Sequence, residues 1–530
     1  MHHMRVVGVA LTAVLMSGCA WVGRVGVTSA GVQPGAGTTV GTDVSRDGRY
    51  VMFTSDATNL VAGDTNNARD VFWHDNQTGA TERVSVTNSG AQANIGGYDG
   101  KVSADGRYVA FSSDATNLVG SDTNGVTDVF VRDRVTATTK RVSVRASGLE
   151  GDDASRLDGM SPDGNLIVFS SDATNLIGLD ENFATDVFIR DRGASITTRV
   201  SVASDGSEGD AESYGGSISD DGRYVAFISN AWNFDVNDSG TYADVFVRDQ
   251  TGSTTTRVTG LAGGDETDDE SYDAQISGNG GIIAFSTDAT NLIDPADDNI
   301  ATDVYATVRG SGTFERISVA ADGGDPDLYS FLSGISDDGR FVLFQSGAHN
   351  LVTKPLTAVS NSFVRDRSSA TTAFVGTTQK MEEPKGATIA ASGSSPNAMS
   401  GDGRYVLFST AATDVLVTGD ANGGALDVYL RSNPVPFILF ASPTTIGRGT
   451  SATIALHGSA FRAAGALVLM GDGVAVNSVT AVGEIELDVN VTVSADAPVG
   501  PRTPFIVESG TGAGAYTGGV VFLADAFSVI

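Results

Sequence analysis

The chain has 530 residues, with 33 Lys and Arg against 64 Asp and Glu, and a formal net charge of −31. A surface this acidic repels phosphate backbones, which excludes nucleic acid as a partner and favours cations or basic proteins. Gly supplies 65 residues, about 12% against a usual ~7%, set between short Val, Ile, Phe and Thr runs. That is the composition of an all-β chain with many tight turns, and no helical periodicity is sustained beyond the extreme N-terminus.

Residues 1–19 read MHHMRVVGVALTAVLMSGC. Arg5 provides a positive end, Val6 to Met16 an apolar run too short to span a bilayer comfortably, and Ser17-Gly18 the small residues before a cut. This pattern predicts an export signal. Met16-Ser17-Gly18-Cys19 resembles a bacterial lipobox, with Met16 where Leu is usual, and the resemblance implies that residues 1–18 are removed and Cys19 is lipidated. The alternative is ordinary secretory cleavage after Ala20, which discards Cys19. Both place the protein in the cell envelope (periplasmic or surface-facing) or outside the cell. No later segment is apolar enough for a transmembrane helix, so membrane attachment would run only through the N-terminal lipid. Cys19 is the only Cys, so there is no disulfide framework.

From residue 24 onwards one unit repeats seven times. Its clearest copy is SADGRYVAFSSDATNLVGSDTNGVTDVFVRDRVTATTKRVSV, residues 103–144, and its turn recurs at Asp47, Asp105, Asp163, Asp221, Asn279, Asp338 and Asp402, in steps of 58, 58, 58, 58, 59 and 64 residues. Self-similarity at such a period marks a repeat architecture in which no unit buries its apolar face alone. The second unit predicts strands near Tyr98–Val102, Arg107–Ser113, Asp128–Arg132 and Lys140–Val144. Four antiparallel strands per repeat, arranged radially, make a β-propeller blade, and ring closure removes the exposed edges that an open array would leave.

A count of the third and fourth strands predicts how the ring closes. DVF-type strands begin at Asp70, Asp128, Asp186, Asp244, Asp303, Asn361 and Asp427, seven in all. Fourth strands follow only six of them, at Arg83, Arg141, Arg199, Arg257, Arg316 and a degraded Thr371. The missing copy stands at the other end, where Arg24-Val25-Gly26-Val27 and TSAGVQPGAG match RVSVTNSGAQANIG at Arg83. Residues 24–28 are therefore expected beside the strand at 427–432. The S-x-D-G-[RK]-[YF]-V-x-F pattern followed by DVFVRD resembles the TolB-type, WD-repeat-like propeller repeats of bacterial exported proteins, across residues 24–432. The strand count predicts a seven-bladed ring; the resemblance implies a β-propeller and says little about activity, because such propellers serve as binding scaffolds, peptidase gates and occasionally enzymes.

After Asn433-Pro434-Val435-Pro436 the alternation of apolar and polar residues over 437–530 resembles an IPT/TIG-type immunoglobulin-like sandwich, and about 95 residues suits one such domain.

In an up-down blade, the connections between sheets and the long second loops share one rim, which would face away from a lipidated Cys19. That rim carries Asp152, Asp153, Glu208, Asp210, Glu212, Asp265, Glu266, Asp268, Asp269, Glu270, Asp325 and Asp327. Its second loops repeat D-x-N-x-x-x-D as Asp64/Asn66/Asp70, Asp122/Asn124/Asp128, Asp180/Asn182/Asp186 and Asp297/Asn299/Asp303. The fourth unit keeps only Asp238 and Asp244, the seventh widens the motif to Asp420/Asn422/Asp427, and the sixth has lost it. Alternating side-chain oxygens in a turn suit calcium, the one cofactor these loops suggest, although three side chains fall short of its six to eight oxygens. The competing reading is that Asp and Asn cap turns through side-chain-to-backbone hydrogen bonds. SDATNL at Ser55, Ser113 and Ser171 recurs for the same local reason.

A ligand site belongs where the units differ. That points to Asp210, Glu212, Asp265, Glu266, Asp268, Asp269 and Glu270, with Trp232, Phe234 and Tyr242 in the altered loop AWNFDVNDSGTY. Aromatics beside carboxylates can grip a basic peptide or a sugar, unless the rings pack the loop down. Catalysis finds no signature: after signal removal only His74, His349 and His457 remain, with no metal-ligand spacing and no G-x-S-x-G or H-E-x-x-H. The expectation is a monomeric, non-catalytic scaffold whose acidic rim engages an envelope or extracellular protein. The alternatives are a calcium-stabilised adhesion or carbohydrate-binding module, and a propeller hydrolase or lyase.

Overall fold

The computed structural model describes the chain apart from residues 1–21, 36, 121, 179, 262–264, 294–296, 354–359, 377–397, 417–419, 423, 436, 460–465, 483–485, 509–519 and 523–525. Cys19 and the export segment lie outside the described residues. Two compact units divide at residues 436 and 437.

Among the described residues, the first unit, 22–436, forms seven four-stranded antiparallel sheets. Sheet one comprises Thr39–Val44, Tyr50–Ser55, Asp70–Asp75 and Ala80–Arg83. Sheet two comprises Gly97–Val102, Tyr108–Ser113, Asp128–Asp133 and Thr138–Arg141, and sheet three Ser155–Met160, Leu166–Ser171, Asp186–Asp191 and Ile196–Arg199. Sheet four takes Ser213–Ile218, Tyr224–Ser229, Asp244–Asp249 and Thr254–Arg257; sheet five takes Ser271–Ile276, Ile282–Thr287, Asp303–Val308 and Phe314–Arg316. Sheet six takes Ser330–Ile335, Phe341–Ser346, Asn361–Asp366 and Thr371–Phe374. Sheet seven joins Ala398–Met399, Tyr405–Thr410 and Asp427–Ser432 to Val22–Arg24, which pairs Val22 with Arg431 and Arg24 with Tyr429.

The repeat explains the core. In every sheet an aromatic of the second strand faces an aromatic of the third, as in Phe111–Phe130 at 5.8 Å between ring centres, Phe169–Phe188 at 5.7 Å and Phe408–Tyr429 at 5.5 Å. Apolar clusters fill the space between successive sheets. One unites Ala110, Val129 and Val131 of sheet two with Ile167, Phe169 and Phe188 of sheet three. Another unites Val44, Val51 and Phe53 of sheet one with Leu407, Val428 and Leu430 of sheet seven, with Val25 between them.

The turn glycine is required by the same contact. Gly106 has φ +70°, and a Cβ there would lie 2.6 Å from the Tyr50 ring of the preceding sheet; Gly48 stands in the same relation to Tyr405 of sheet seven. Successive turns are also joined by backbone: Ala104 N donates to Pro162 O at 2.8 Å, Asp337 N to Gly401 O at 2.8 Å and Asp402 N to Arg46 O at 3.0 Å. The unit is all-β, built of repeated four-stranded antiparallel sheets, an arrangement consistent with a β-propeller.

The fourth strands lie further upstream than the RVSV runs suggest. In sheet two the strand is Thr138–Arg141; Val142 N still reaches Val129 O at 2.8 Å, but Val144 N then turns back to Val142 O at 2.8 Å. Ser143 explains the exit, because its hydroxyl accepts from Val129 N at 3.1 Å and donates to Asp128 at 2.6 Å. The serine of RVSV is thus turned inwards to serve a buried carboxylate.

The second unit holds a four-stranded sheet of Phe437–Ser442, Ser451–Ser459, Glu486–Val493 and Val474–Ala481, with two three-stranded sheets. Alternate residues Leu487, Val489 and Val491 are fully buried, the period expected of a strand with one face in a core.

Candidate functional site

The D-x-N-x-x-x-D loops do bring their two aspartates together, and an arginine from the fourth strand stands between them. Arg83 Nη1 lies 3.0 Å from Asp70 Oδ2 and 3.3 Å from Asp64 Oδ1. Arg141 Nη1 lies 2.6 Å from Asp128, 2.6 Å from Glu150 and 3.7 Å from Asp122. Arg199 contacts Asp186 at 3.0 Å, Asp180 at 3.9 Å and also Glu208. Arg316 contacts Asp297 at 3.5 Å, Asp303 at 3.8 Å and also Asp325. In the fourth unit Arg257 meets Asp235, Asp244 and Glu266 at 3.3, 3.4 and 3.5 Å.

The asparagines act as turn formers and clamps. Asn66 Nδ2 donates to Ala93 O at 3.0 Å and its Oδ1 accepts from Ala68 N at 3.2 Å. Asn124, Asn182 and Asn299 donate likewise to Gly151 O, Gly209 O and Pro326 O at 3.0, 2.8 and 2.8 Å. Each loop is thereby tied to the following inter-sheet connection, so the two sets of connections meet on one rim.

Two of these clusters, Asp122/Asp128/Glu150 and Asp180/Asp186/Glu208, bring three carboxylates within 4.8 Å of one another and could hold a metal ion. Each already holds one guanidinium, Arg141 or Arg199, which offsets part of the charge. Burial still pushes Asp186 up to about 7, and Asp303 in sheet five up to about 8.

The residues expected to bind a partner divide. Asp210, Glu212, Asp265, Asp268, Asp269 and Glu270 are exposed. Glu212 accepts from Asn230 Nδ2 at 2.8 Å, Asp268 from Thr290 N at 2.7 Å, Asp269 from Glu270 N at 2.9 Å, and Glu270 from the Tyr272 hydroxyl at 3.0 Å. Glu266 is drawn into the Arg257 cluster and accepts from the Ser239 hydroxyl at 2.7 Å. Trp232 is 59% exposed and Tyr242 half-buried. Phe234 does not belong to the surface: it is 8% exposed, with its ring edge-on to Phe227 at 6.1 Å and to Phe246 at 5.3 Å. The altered loop needs that anchor because it forms a 3₁₀ turn over Trp232–Phe234 in place of SDATNL.

Sequence reasoning passed over three exposed apolar residues on the same loops: Phe183 at 78%, Ile300 at 83% and Val236 at 98%. Phe183 and Ile300 also have left-handed backbones, φ +53° and +54°. Asn67 and Gly125 occupy the equivalent positions in sheets one and two with φ +51° and +69°. Asn and Gly tolerate that region, whereas a β-branched Ile there is a genuine outlier. The repeat spacing would have flagged Phe183 and Ile300 as odd substitutions in a position that follows the Asn.

A second concave feature lies among the first strands. A cavity of about 880 Å³ is lined by residues of sheets one to six, including Asp43, Asp99, Asp158 and Asp273. Burial raises all four carboxyls above their ordinary value, and Asp158 reaches about 7. Asp43 accepts from Val102 N at 2.8 Å and Asp158 from the Ser170 hydroxyl at 2.6 Å. Among the S-x-D-G turns, Arg46 of sheet one reaches Asp220 of sheet four at 3.1 Å and Asp337 of sheet six at 2.7 Å.

No family model and no curated protein matches the chain. Solved structures similar to it include a putative TolB from Agrobacterium tumefaciens, at 17% identity over 53% of this chain and 80% of that one, TM-score 0.34. The xyloglucanase of Xanthomonas campestris is 11% identical over 96% and 74%, TM-score 0.39; the periplasmic gluconolactonase of Pseudomonas aeruginosa is 15% identical over 65% and 85%, TM-score 0.30.

Proposed function

We propose that the chain is an exported, non-catalytic scaffold, lipid-anchored through Cys19, whose outer rim at sheets three to five captures a basic envelope or extracellular protein. In this reading residues 24–432 form a seven-bladed, TolB-like ring closed by the N-terminal strand, followed by an IPT/TIG-like domain at 437–530. The Gly48–Tyr405 contact, the bond from Asp402 N to Arg46 O and the three-sheet grip of Arg46 support the ring.

The observation that carries the binding role is the exposure of Phe183, Trp232, Val236 and Ile300 on the loops of sheets three to five, whose neighbouring connections also expose Asp210, Glu212, Asp265, Asp268 and Asp269. Large apolar side chains held in water among carboxylates are the composition of a protein-docking surface, and backbone strain retained at two of them argues for selection on what they contact. The histidines support a non-catalytic role. His74 is buried with Nδ1 2.9 Å from the Thr81 hydroxyl, and burial lowers it to about 4; His349 lies 3.4 Å from Asp327 and His457 3.1 Å from Glu486.

The test is a pull-down from envelope extract with the full chain and with a Phe183→Ser/Trp232→Ser/Ile300→Ser variant. The reading expects a specific partner that the variant loses while its melting midpoint holds. An equal yield of the same partner from a folded variant refutes it. A second reading, calcium-stabilised adhesion, draws on the carboxylate trios around Arg141 and Arg199 and requires an ion to displace a guanidinium from each.

A further inference from the structure

The cavity among the first strands does not take part in the rim reading. Its four carboxylates come one each from sheets one, two, three and five, and the cationic side chain among its described lining residues is Lys101. Lys101 Nζ stands 3.9 Å from Asp43 Oδ1, too far for a hydrogen bond, so it balances one charge loosely.

Two hydroxyls mark the wall as unfinished. Thr42 is 5% exposed and Ser360 2% exposed; both line the cavity, and neither Oγ has a hydrogen-bond partner. Buried hydroxyls without partners are rare, because each forfeits its hydration. Asp99 and Asp273 add a third sign: both hold left-handed backbones, φ +53° and +52°, where Gly215 stands at the same point of sheet four with φ +74°. Aspartate tolerates this conformation, and the bulges place both carboxylates at the cavity wall.

The arrangement selects the ligand's chemistry. Among the described residues, the carboxylate trios close enough to chelate one ion are on the rim, and none includes these four. Acceptors spread over four sheets suit an extended cation with several donors. Tyr329 and Phe331, whose rings lie 5.6 Å apart, line the same cavity and offer faces to alkyl chains and ammonium groups. The volume falls within the usual range for small-molecule sites.

We propose that this cavity binds an organic polycation through its ammonium groups, with Asp43, Asp99, Asp158 and Asp273 as acceptors and the Thr42 and Ser360 hydroxyls completing the shell. Two sources supply that chemistry: a free polyamine, or lysine side chains of a peptide.

Isothermal titration of the full chain at physiological ionic strength, where exposed charges are screened, separates them. The probes are spermidine and a short Gly/Ser peptide bearing a lysine pair. Asp158→Asn/Asp273→Asn should weaken binding roughly tenfold or more, since each site loses a charge-assisted bond. Asp205→Asn/Asp322→Asn, which alters two exposed turn aspartates away from the cavity, should leave it alone. Lys101→Met removes the competing resident cation and should tighten it, which keeps the proposal open to refutation if the double aspartate variant misfolds. Saturable spermidine binding with this pattern supports a polyamine, and the same pattern for the peptide alone supports a lysine-bearing partner. Binding of neither probe, or binding that both double variants weaken equally, overturns the proposal.

Discussion

Arg24 Nε lies 3.2 Å from Asp427 Oδ2, joining the first described strand to the last strand of its unit. The same guanidinium donates to the Tyr429 hydroxyl at 2.9 Å. Sheets one to three make the equivalent pair within one repeat, as Arg83–Asp70, Arg141–Asp128 and Arg199–Asp186. The seventh repeat has the aspartate but no fourth-strand arginine of its own, so the chain's beginning supplies it. Both side chains are largely buried, and burial pushes Asp427 up to about 6 even with Arg24 opposing.

Arg24→Ala should therefore destabilise the unit by about 3 kcal/mol, because it leaves a buried carboxylate without its counter-charge. Asp427→Asn in the same chain should recover much of the loss. Equilibrium denaturation of the two single variants and the double variant measures the coupling. Additive effects would mean that the pair contributes nothing beyond its separate residues.

If arginine is the resident cation of the rim loops, chelation should leave the melting midpoint unchanged. Arg141→Met removes that cation and leaves Asp122, Asp128 and Glu150 facing one another. The variant should melt lower and regain stability with millimolar calcium, as a ligand that binds only the folded state requires. A wild-type midpoint that drops with chelator would reverse the assignment.

The repeat period carried the sheets and the pairing of residue 24 with the last sheet, because each of these recurs or is missing at a fixed spacing. The arginine clusters were half legible. Asp64 and Asp70 stand in one motif, but Arg83 comes from a strand across a hairpin, and proximity across a ladder is not a spacing in sequence. The cavity aspartates were hidden by register shifts. The first strands bulge between Leu157 and Gly159 in sheet three but between Tyr98 and Lys101 in sheet two, so Asp158 and Asp99 face one space from unequal positions.

Asp158 gives the unit a pH dependence of defined sign. Burial holds its folded value at about 7, against about 4 in an unfolded chain. The proton is bound more tightly in the folded state, so the associated stability is complete below about pH 4, falls as pH rises towards 7 and is flat beyond. The full swing is of order 4 kcal/mol. Asp158→Asn abolishes the titration, so its stability relative to the wild type should improve between pH 5 and about 7 and level off beyond. Denaturant titrations at both ends of that range measure it, and a pH-independent difference would remove Asp158 as the titrating group.

Ile300 offers the most direct trade between stability and binding. Its φ of +54° is one that glycine adopts freely, and relief of left-handed strain is worth about 1–2 kcal/mol. Glycine's greater freedom in the unfolded chain offsets part of this. Ile300→Gly should accordingly raise the unfolding free energy by up to about 1 kcal/mol, while deleting an apolar side chain that is 83% exposed. On the rim reading the variant is more stable and captures less partner. Improved stability with undiminished capture would place the partner elsewhere, and lower stability would show that the side chain packs on its neighbours after all.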